Sequence, residues 1–143
     1  MSAAGDAWTA DRRTGRQVAG DLAEDAVARH LAARGWRILA RNLRVGRCEL
    51  DIVASEPSGP CAFVIIEVRS RTVPGFGAPE ESVDAAKVAR LYAAAWDLAR
   101  AGHITGGGRI AGGPFRVDLV TVVRAGAGAR WRVSAHLRGL TPP

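Results

Sequence analysis

The sequence is poor in the side chains that usually hold zinc or cross-link a small domain. Cys48 and Cys61 are the only cysteines among 143 residues, and the three histidines are scattered along the chain. No C-x-x-C and no paired Cys/His spacing occurs, so a zinc site is not predicted. A disulfide between the two cysteines stays open, but two thiols in a core-forming chain fit a reducing cytoplasm better.

Long apolar runs are missing as well. No stretch approaches the roughly 20 apolar residues that a membrane-spanning helix needs. The first residues include Asp6, Asp11, Arg12 and Arg13 and lack an apolar segment, which is unlike a secretory signal peptide. We therefore expect a cytoplasmic protein that does not enter a membrane.

Lysine is almost absent from this basic chain. Lys87 is the only lysine, and arginine supplies the other 19 basic residues, which gives a net charge of +6 and a pI of about 10.9. Such a charge favours a polyanionic partner, with nucleic acid first and an anionic membrane surface second. The alternative is a compositional bias toward arginine that reflects no partner.

The composition that remains is that of one globular α/β domain, with 48% hydrophobic and 24% charged residues. We predict a flexible arm over residues 1–14, a single domain over 15–139, and a tail over 140–143. Hydrophobic periodicity predicts seven elements in the order α-β-β-β-α-β-β. They are a helix over 17–34, strands over 36–42, 49–55 and 62–68, a helix over 82–101, and strands over 115–123 and 130–137.

The helix between the third and fourth strands implies a parallel crossover inside a mixed sheet that the helices flank. The third strand has an uninterrupted apolar run, which is typical of a central strand buried on both faces. Residues 43–48 are predicted to form a turn, and residues 71–79 a loop rich in Gly and Pro.

Carboxylates occur on two neighbouring strands of this sheet. Glu49 and Asp51 lie on the second strand, and Glu67 lies on the third with Arg69 two positions later. Since alternate side chains of a strand point the same way, each pair is expected to share a face. Asp51 and Glu67 are therefore candidate ligands for Mg²⁺, or Mn²⁺ in its place, because Mg²⁺ accepts one or two protein carboxylates together with phosphate oxygens. Glu49, about 7 Å along the strand, is expected to assist or to bind a second ion.

A structural explanation of these acids stays open. Asp51 and Glu67 could simply form ion pairs with Arg69, Arg71 or Arg116. Similarly, Lys87 on the second helix either reaches the acidic site or is a solvated charge.

Several motifs resemble the YraN family of bacterial proteins. The resemblance covers about residues 15 to 137 and depends on the order and spacing of the motifs. They are Gly20-x-x-x-Glu24, Arg41-Asn42, Glu49-Leu50-Asp51, Phe63-Val64-Ile65-Ile66-Glu67-Val68-Arg69-Ser70-Arg71, Phe76-Gly77-x-Pro79, Val83-Asp84-x-x-Lys87 and Arg116-Val117-Asp118.

The resemblance implies a relation to the restriction-endonuclease and Holliday-junction-resolvase superfamily, whose core order is αβββαβ. It implies that Asp51 and Glu67 bind the metal and that Glu24 is the acidic residue of the first helix. Arg69 then occupies the position of the catalytic lysine. Arginine orients a phosphate or stabilises charge but does not act as a neutral general base.

Three hypotheses follow for function. The first is a metal-dependent endonuclease acting on nucleic acid, DNA first and branched DNA among the candidate substrates, with Asp51, Glu67, Arg69, Glu49 and Glu24 in the active site. The second is a nuclease-like module that binds nucleic acid without cutting it. The third is a scaffold for partner proteins, including a homodimer through the sheet edge. The basic residues expected to contact phosphates are Arg41, Arg44, Arg47, Arg71 and Lys87.

Overall fold

Two helices and five strands follow one another in the predicted order. A computed structural model describes residues 14–73, 83–104, 107–110 and 112–141, so nearly all of the predicted arm lies outside the described residues. The elements are α1 (Gly15–Ala33), β1 (Arg37–Val45), β2 (Cys48–Ser55), β3 (Phe63–Thr72), α2 (Ala85–Ala101), β4 (Phe115–Arg124) and β5 (Arg132–Leu137).

The strands form one mixed sheet in the order β1-β2-β3-β4-β5. All neighbours are antiparallel except β3 and β4, which run parallel and are connected through α2. The predicted crossover and the central position of β3 are therefore confirmed. This α-βββ-α-ββ arrangement is consistent with a restriction-endonuclease-like core.

Each helix covers one face of the sheet. On the α1 face, Val27 and Leu31 pack against β-strand residues such as Ile52 and Ile66. On the α2 face, Leu91 and Leu98 pack with the other residues of a second buried cluster, which includes Leu50, Val53, Phe63, Ile65 and Val117. Because β3 is covered on both sides, Phe63 to Ile66 are fully buried.

Both helices begin at a polar cap that the sequence encodes locally. The Thr14 side chain accepts the Gln17 N–H, and the Gln17 side chain accepts the Thr14 N–H, which is a complete capping box. Asp84 caps α2 by accepting the Lys87 N–H at 2.8 Å. This cap fixes the first turn of α2, from which the Lys87 side chain extends. No helix among the described residues is both long and apolar enough to cross a bilayer.

Several predicted boundaries differ from the observed ones, such as the start of the second helix at Ala85 rather than at residue 82. Two differences concern the connections of β2 and β3. The turn predicted over residues 43–48 is only Gly46 and Arg47, because β1 continues to Val45 and β2 begins at Cys48. The loop predicted from residue 71 begins later, since β3 extends through Thr72. All ten residues of β3 pair with β4, so long-range hydrogen bonding keeps the polar end of the strand extended.

The regular alternation of side chains is interrupted at Asp51. Leu50 belongs to the core on the α2 face, whereas Ile52 belongs to the core on the α1 face, although they are two residues apart. The pairing of β1 with β2 keeps the same register on both sides of this point, with the pairs Arg41↔Ile52 and Leu43↔Leu50. The intervening Asn42 has a φ of +50°. The alternation that predicted a shared face for Glu49 and Asp51 therefore does not continue through Asp51.

Candidate metal and nucleic-acid site

Asp51 lies where β2 separates from β3. The ladder between these strands contains the pairs Ala54↔Val64, Val53↔Ile65 and Ile52↔Ile66. Beyond Ile52, the Oδ2 atom of Asp51 accepts the Val68 N–H at 2.9 Å. A side-chain carboxylate thus takes the place of a backbone carbonyl as the acceptor, which fixes Asp51 against β3.

Glu67 is on β3 beside this point and is only 4% exposed. Its Oε2 atom lies 3.1 Å from a terminal nitrogen of Arg69 and 3.9 Å from Nζ of Lys87. The structure therefore brings Asp51, Glu67, Arg69 and Lys87 together at one place. Two of the groups are acids and two are cations, so the cluster is close to charge balance.

Burial is the main reason why the pKa of Glu67 is raised to about 7 from its usual 4.5. Repulsion from Asp51 raises it further, and so does a hydrogen bond between the two carboxyl groups, while Lys87 and Arg69 lower it. The carboxyl groups of Asp51 and Glu67 are thus near enough to interact directly. A pair of acids held this close disfavours double ionisation unless a cation is added.

Glu24 reaches the same region from α1. Burial, followed by repulsion from Asp51, raises its pKa to about 7, and Arg41 opposes this shift. Its Oε1 atom is buried and has no hydrogen-bond partner among the described residues. Glu24 faces an α1-side groove of about 310 Å³, which is lined by Gln17, Gly20, Asp21, Glu24, Asn42 and Glu49.

Glu49 separates this groove from a second one on the other face of the sheet. Glu49 is exposed and lies 3.6 Å from Arg44. It also lines an α2-side groove of about 290 Å³, together with Val45, Gly46, Arg47, Cys48, Lys87, Arg90, Ala93, Ala94 and Asp97. The β1–β2 hairpin therefore stands between the two grooves.

The predicted phosphate-binding residues fall into separate places. Arg44 and Arg47 are exposed on the β1–β2 hairpin, next to Glu49. Arg41 instead forms a 2.7 Å ion pair with Asp25 on α1. Arg71 is half-buried on β3, two residues after Arg69. The five cations therefore do not form one patch, and of the five it is Lys87 that forms an ion pair with Glu67.

Sequence reasoning missed Arg90, which lines the α2-side groove one turn after Lys87. Its spacing of three residues on a helix was the available signal. The alternative pairing of Arg116 with Asp51 or Glu67 is wrong. Its guanidinium contacts Asp118 on the same strand and Glu56.

Asp118 forms a second ionic cluster that the sequence did not reveal. It is fully buried and accepts hydrogen bonds from Arg116, from Nε2 of His136 at 2.8 Å, and from the Gly139 N–H. Burial opposes ionisation, but these hydrogen bonds lower the pKa of Asp118 to about 2. This cluster attaches the chain after β5 to β4, and Leu140 continues the attachment by donating its N–H to Val117 O.

In the described parts of the chain, no three His, Cys, Asp or Glu side chains are close enough to enclose a metal ion. The two predicted ligands, Asp51 and Glu67, would offer a metal two carboxylates. This number suits Mg²⁺, which commonly binds through one or two carboxylates and keeps waters or phosphate oxygens in its remaining positions.

Comparisons with known proteins identify relatives of this chain. A 107-residue segment is 40% identical to a UPF0102 protein of Moorella thermoacetica and covers 75% of this chain and 82% of the relative. A UPF0102 protein of Corynebacterium efficiens is 36% identical over 111 residues, or 78% of this chain and 82% of its own length.

The UPF0102 protein sce2912 of Sorangium cellulosum is 49% identical over 86 residues, which cover 60% of this chain but only 58% of the relative. The chain thus spans less than two thirds of that relative. The family model described as "Uncharacterised protein family UPF0102" matches residues 23–122, which include Glu24, Asp51, Glu67 and Lys87. The resemblance to YraN proteins is thereby confirmed, and the chain belongs to the uncharacterised protein family UPF0102.

Proposed function

We propose that this protein is a metal-dependent nuclease that cleaves phosphodiester bonds in DNA. Asp51 and Glu67 are its metal ligands, and Mg²⁺ or Mn²⁺ is the metal. The observation that carries the proposal is the convergence of these two carboxylates where β2 separates from β3, beside Arg69 and Lys87. Glu67 is buried and Asp51 half-buried, and two carboxylates held this close provide oxygen ligands for a divalent cation.

The residues fit a hydrated divalent cation. When bound, such an ion polarises a phosphodiester, lowers the pKa of a water and stabilises the leaving oxygen. Asp51 is fixed by the Val68 N–H and Glu67 by its burial, so both carboxylates are held in place before a ligand arrives. Glu24 and Glu49 line the adjoining groove and are placed to orient water through their carboxylates.

Arg69 and Lys87 have different roles in this proposal. The Arg69 guanidinium positions the phosphate and stabilises the negative charge that develops on it. Lys87 approaches Glu67 from α2 and supplies the amine that Arg69 cannot supply from β3. Arg47 and Arg90 extend the positive charge from Lys87 along the α2-side groove.

A cleavage assay with defined DNA tests this proposal. Branched, flapped and simple duplexes with a labelled strand are incubated with Mg²⁺, Mn²⁺ or a chelator. We expect metal-dependent cleavage that Glu67→Gln abolishes. Asp97→Asn is the matched control, because it also removes one carboxylate charge, from an exposed residue that pairs with Arg100 rather than with Arg69 or Lys87. Cleavage in chelator, or cleavage that survives Glu67→Gln, contradicts the proposal.

A second candidate is a nuclease-like module that binds nucleic acid but does not cut it. The observation that favours it is the 3.1 Å ion pair between Arg69 and Glu67, which neutralises the acid without a metal. DNA binding that is unchanged by metal, with no cleavage of any substrate, distinguishes this function from the nuclease.

The proposed activity is compatible with action on DNA in the cytoplasm, as the sequence predicts. The predicted homodimer would use an edge of the sheet, where β1 and β5 each have one unpaired side. Sedimentation of the purified protein over a range of concentrations tests whether it forms this homodimer.

A further inference from the structure

A second basic surface lies away from the acidic pair, between α1 and the β4–β5 turn. Here a hollow of about 220 Å³ is lined by Leu22, Arg29, Gly128, Ala129, Arg130 and Trp131, and is called the arginine hollow below. None of the arginines predicted to bind phosphates lines it. We propose that the arginine hollow binds the sugar-phosphate backbone of a nucleic-acid strand, through internal phosphates.

The charges in the hollow have no carboxylate partner. Arg29 and Arg130 are exposed and form no ion pair with any residue in the described ranges. Arg124 adds a third guanidinium, which lies 4.4 Å from the centre of the Trp131 ring and donates its Nε–H to the Thr72 hydroxyl. Arg41 and Arg100, by contrast, each have an acid beside them that offsets their charge.

The shape of the hollow also fits a strand. The Gly126 and Gly128 positions face open space, so the backbone of the turn is accessible to a ligand. Trp131 forms a half-buried wall, and its indole N–H is buried with no acceptor among the described residues. An oxygen-rich, negatively charged chain would pair with the exposed guanidinium groups of the hollow. A membrane surface is less suited, because interfacial tryptophans insert from protruding positions and this wall is recessed.

The arginine hollow lies on the side of α1 opposite the α1-side groove that Glu24 lines. Glu24 and Arg29 are five residues apart, which places them about 140° apart around a helix of 3.6 residues per turn. Arg124 pairs with Thr72 at the end of β3, three residues beyond Arg69. A strand held in the hollow would therefore approach the same end of the sheet as the acidic pair. The inference concerns binding alone and does not require that the protein cleaves DNA.

The test is a binding titration in chelator, so that neither metal nor cleavage contributes. Fluorescein-labelled single strands and duplexes are titrated with the wild type and with Arg29→Gln/Arg130→Gln at several salt concentrations. We expect affinity to fall at least about ten-fold, and the salt slope to flatten by between one and two units, because each bound phosphate contributes about 0.7 to 0.9. The control is Arg37→Gln/Arg100→Gln, which removes the same charge from exposed positions elsewhere.

A second readout locates the contact. Binding should change tryptophan emission in the wild type, and this change should disappear in Trp131→Phe. Equal weakening in both double variants shows only an effect of net charge and overturns the proposal, as does an emission change that survives Trp131→Phe. Binding that requires a 5′-phosphate overturns it in favour of a terminal phosphate. Arginine-dependent binding of phosphatidylglycerol vesicles without nucleic-acid binding overturns it in favour of a membrane. Loss of cleavage with intact binding concerns the nuclease proposal alone.

Discussion

Lys87 of α2 and Glu67 of β3 meet across the interface between helix and sheet, with Nζ 3.9 Å from Oε2. The Asp84 cap sets the first turn of α2 and thereby determines where the Lys87 side chain starts. The only lysine of the chain is thus next to a buried carboxylate that also pairs with Arg69 of β3.

The first expectation concerns the two cations beside Glu67. Lys87→Gln should lower the cleavage rate by at least about ten-fold, which corresponds to about 1.4 kcal/mol in the barrier. Lys87→Arg should retain less activity than the wild type if the amine has a specific role, since arginine keeps the charge but not the compact amine. Arg69→Lys should raise the rate, because it restores an amine on β3. A Lys87→Gln protein that cleaves as fast as the wild type would show that Lys87 is a solvated charge.

Divalent metal should stabilise the protein. Ten times the dissociation constant of Mg²⁺ or Mn²⁺ adds about 1.4 kcal/mol to the free energy of unfolding, which raises the melting temperature by several degrees. Asp51→Asn should make the metal-free protein slightly more stable, because it relieves repulsion from Glu67 and Glu24 and keeps an oxygen to accept the Val68 N–H. The same variant should lose the response to metal. Thermal melts at constant ionic strength measure both effects, and equal melting temperatures with metal and chelator contradict the metal site.

In chelator, stability should fall as pH rises from 5 to 8. The pKa of Glu67 is raised to about 7, so the folded state retains a proton that the unfolded state loses near its usual 4.5. The folded state therefore binds more protons than the unfolded state between pH 5 and 8. The free energy of unfolding should fall by an amount on the order of 2 kcal/mol between pH 5 and a pH above 7. The pKa of Glu24 is also raised, so Glu24 should contribute to the same fall in stability with rising pH. Urea unfolding at each pH should give a flatter dependence for Glu67→Gln and the flattest for Glu24→Gln/Glu67→Gln.

The Asp118 cluster should make stability depend on pH in the opposite direction. The pKa of Asp118 is lowered to about 2, so its contribution to the free energy of unfolding is complete above pH 4 and disappears as pH falls through 2. Asp118→Ala leaves Arg116 and His136 without their buried acceptor and should cost about 3–5 kcal/mol. Asp97→Ala, which removes an exposed partner of Arg100, should cost less than about 1 kcal/mol. Equal losses in urea unfolding would mean that the Asp118 cluster is not a main source of stability.

The hairpin arginines offer a separate test of nucleic-acid binding. Arg44→Gln/Arg47→Gln should weaken DNA binding and flatten the salt slope by about one unit for each phosphate that the variant no longer binds. Since Arg47 and Lys87 line the same α2-side groove, the double variant should also reduce cleavage. Unchanged binding would place the main nucleic-acid surface elsewhere on the molecule.

The sequence predicted the elements well and their ends less well. Apolar periodicity located β3, but Arg69 and Arg71 hid its polar end, because pairing with β4 rather than local hydrophobicity keeps these residues extended. A strand pairing of this kind depends on residues about 52 positions away, which no local pattern reveals.

The acidic pair could also be inferred from the sequence, since β2 and β3 are neighbours along the chain. The approach of Lys87 to Glu67 could not be inferred from the sequence, because it depends on where α2 crosses the sheet. The contact of His136 with Asp118 likewise joins residues 18 positions apart through the register of β4 and β5. The interrupted alternation of side chains at Asp51 could not be inferred either, because the unusual backbone next to it, the positive φ of Asn42, is on the neighbouring strand β1.

The parallel pairing of β3 with β4 has a consequence for folding kinetics. β1, β2 and β3 join through short connections, whereas the Thr72–Arg124 contact closes a loop of 52 positions. We expect the three-stranded unit to form early and the docking of β4 to limit the folding rate, since distant pairings are slow to nucleate. Until β4 docks, the Phe63 to Ile66 segment is an open apolar edge. Aggregation during refolding should therefore depend on protein concentration, and substitutions that delay β4 docking should increase it.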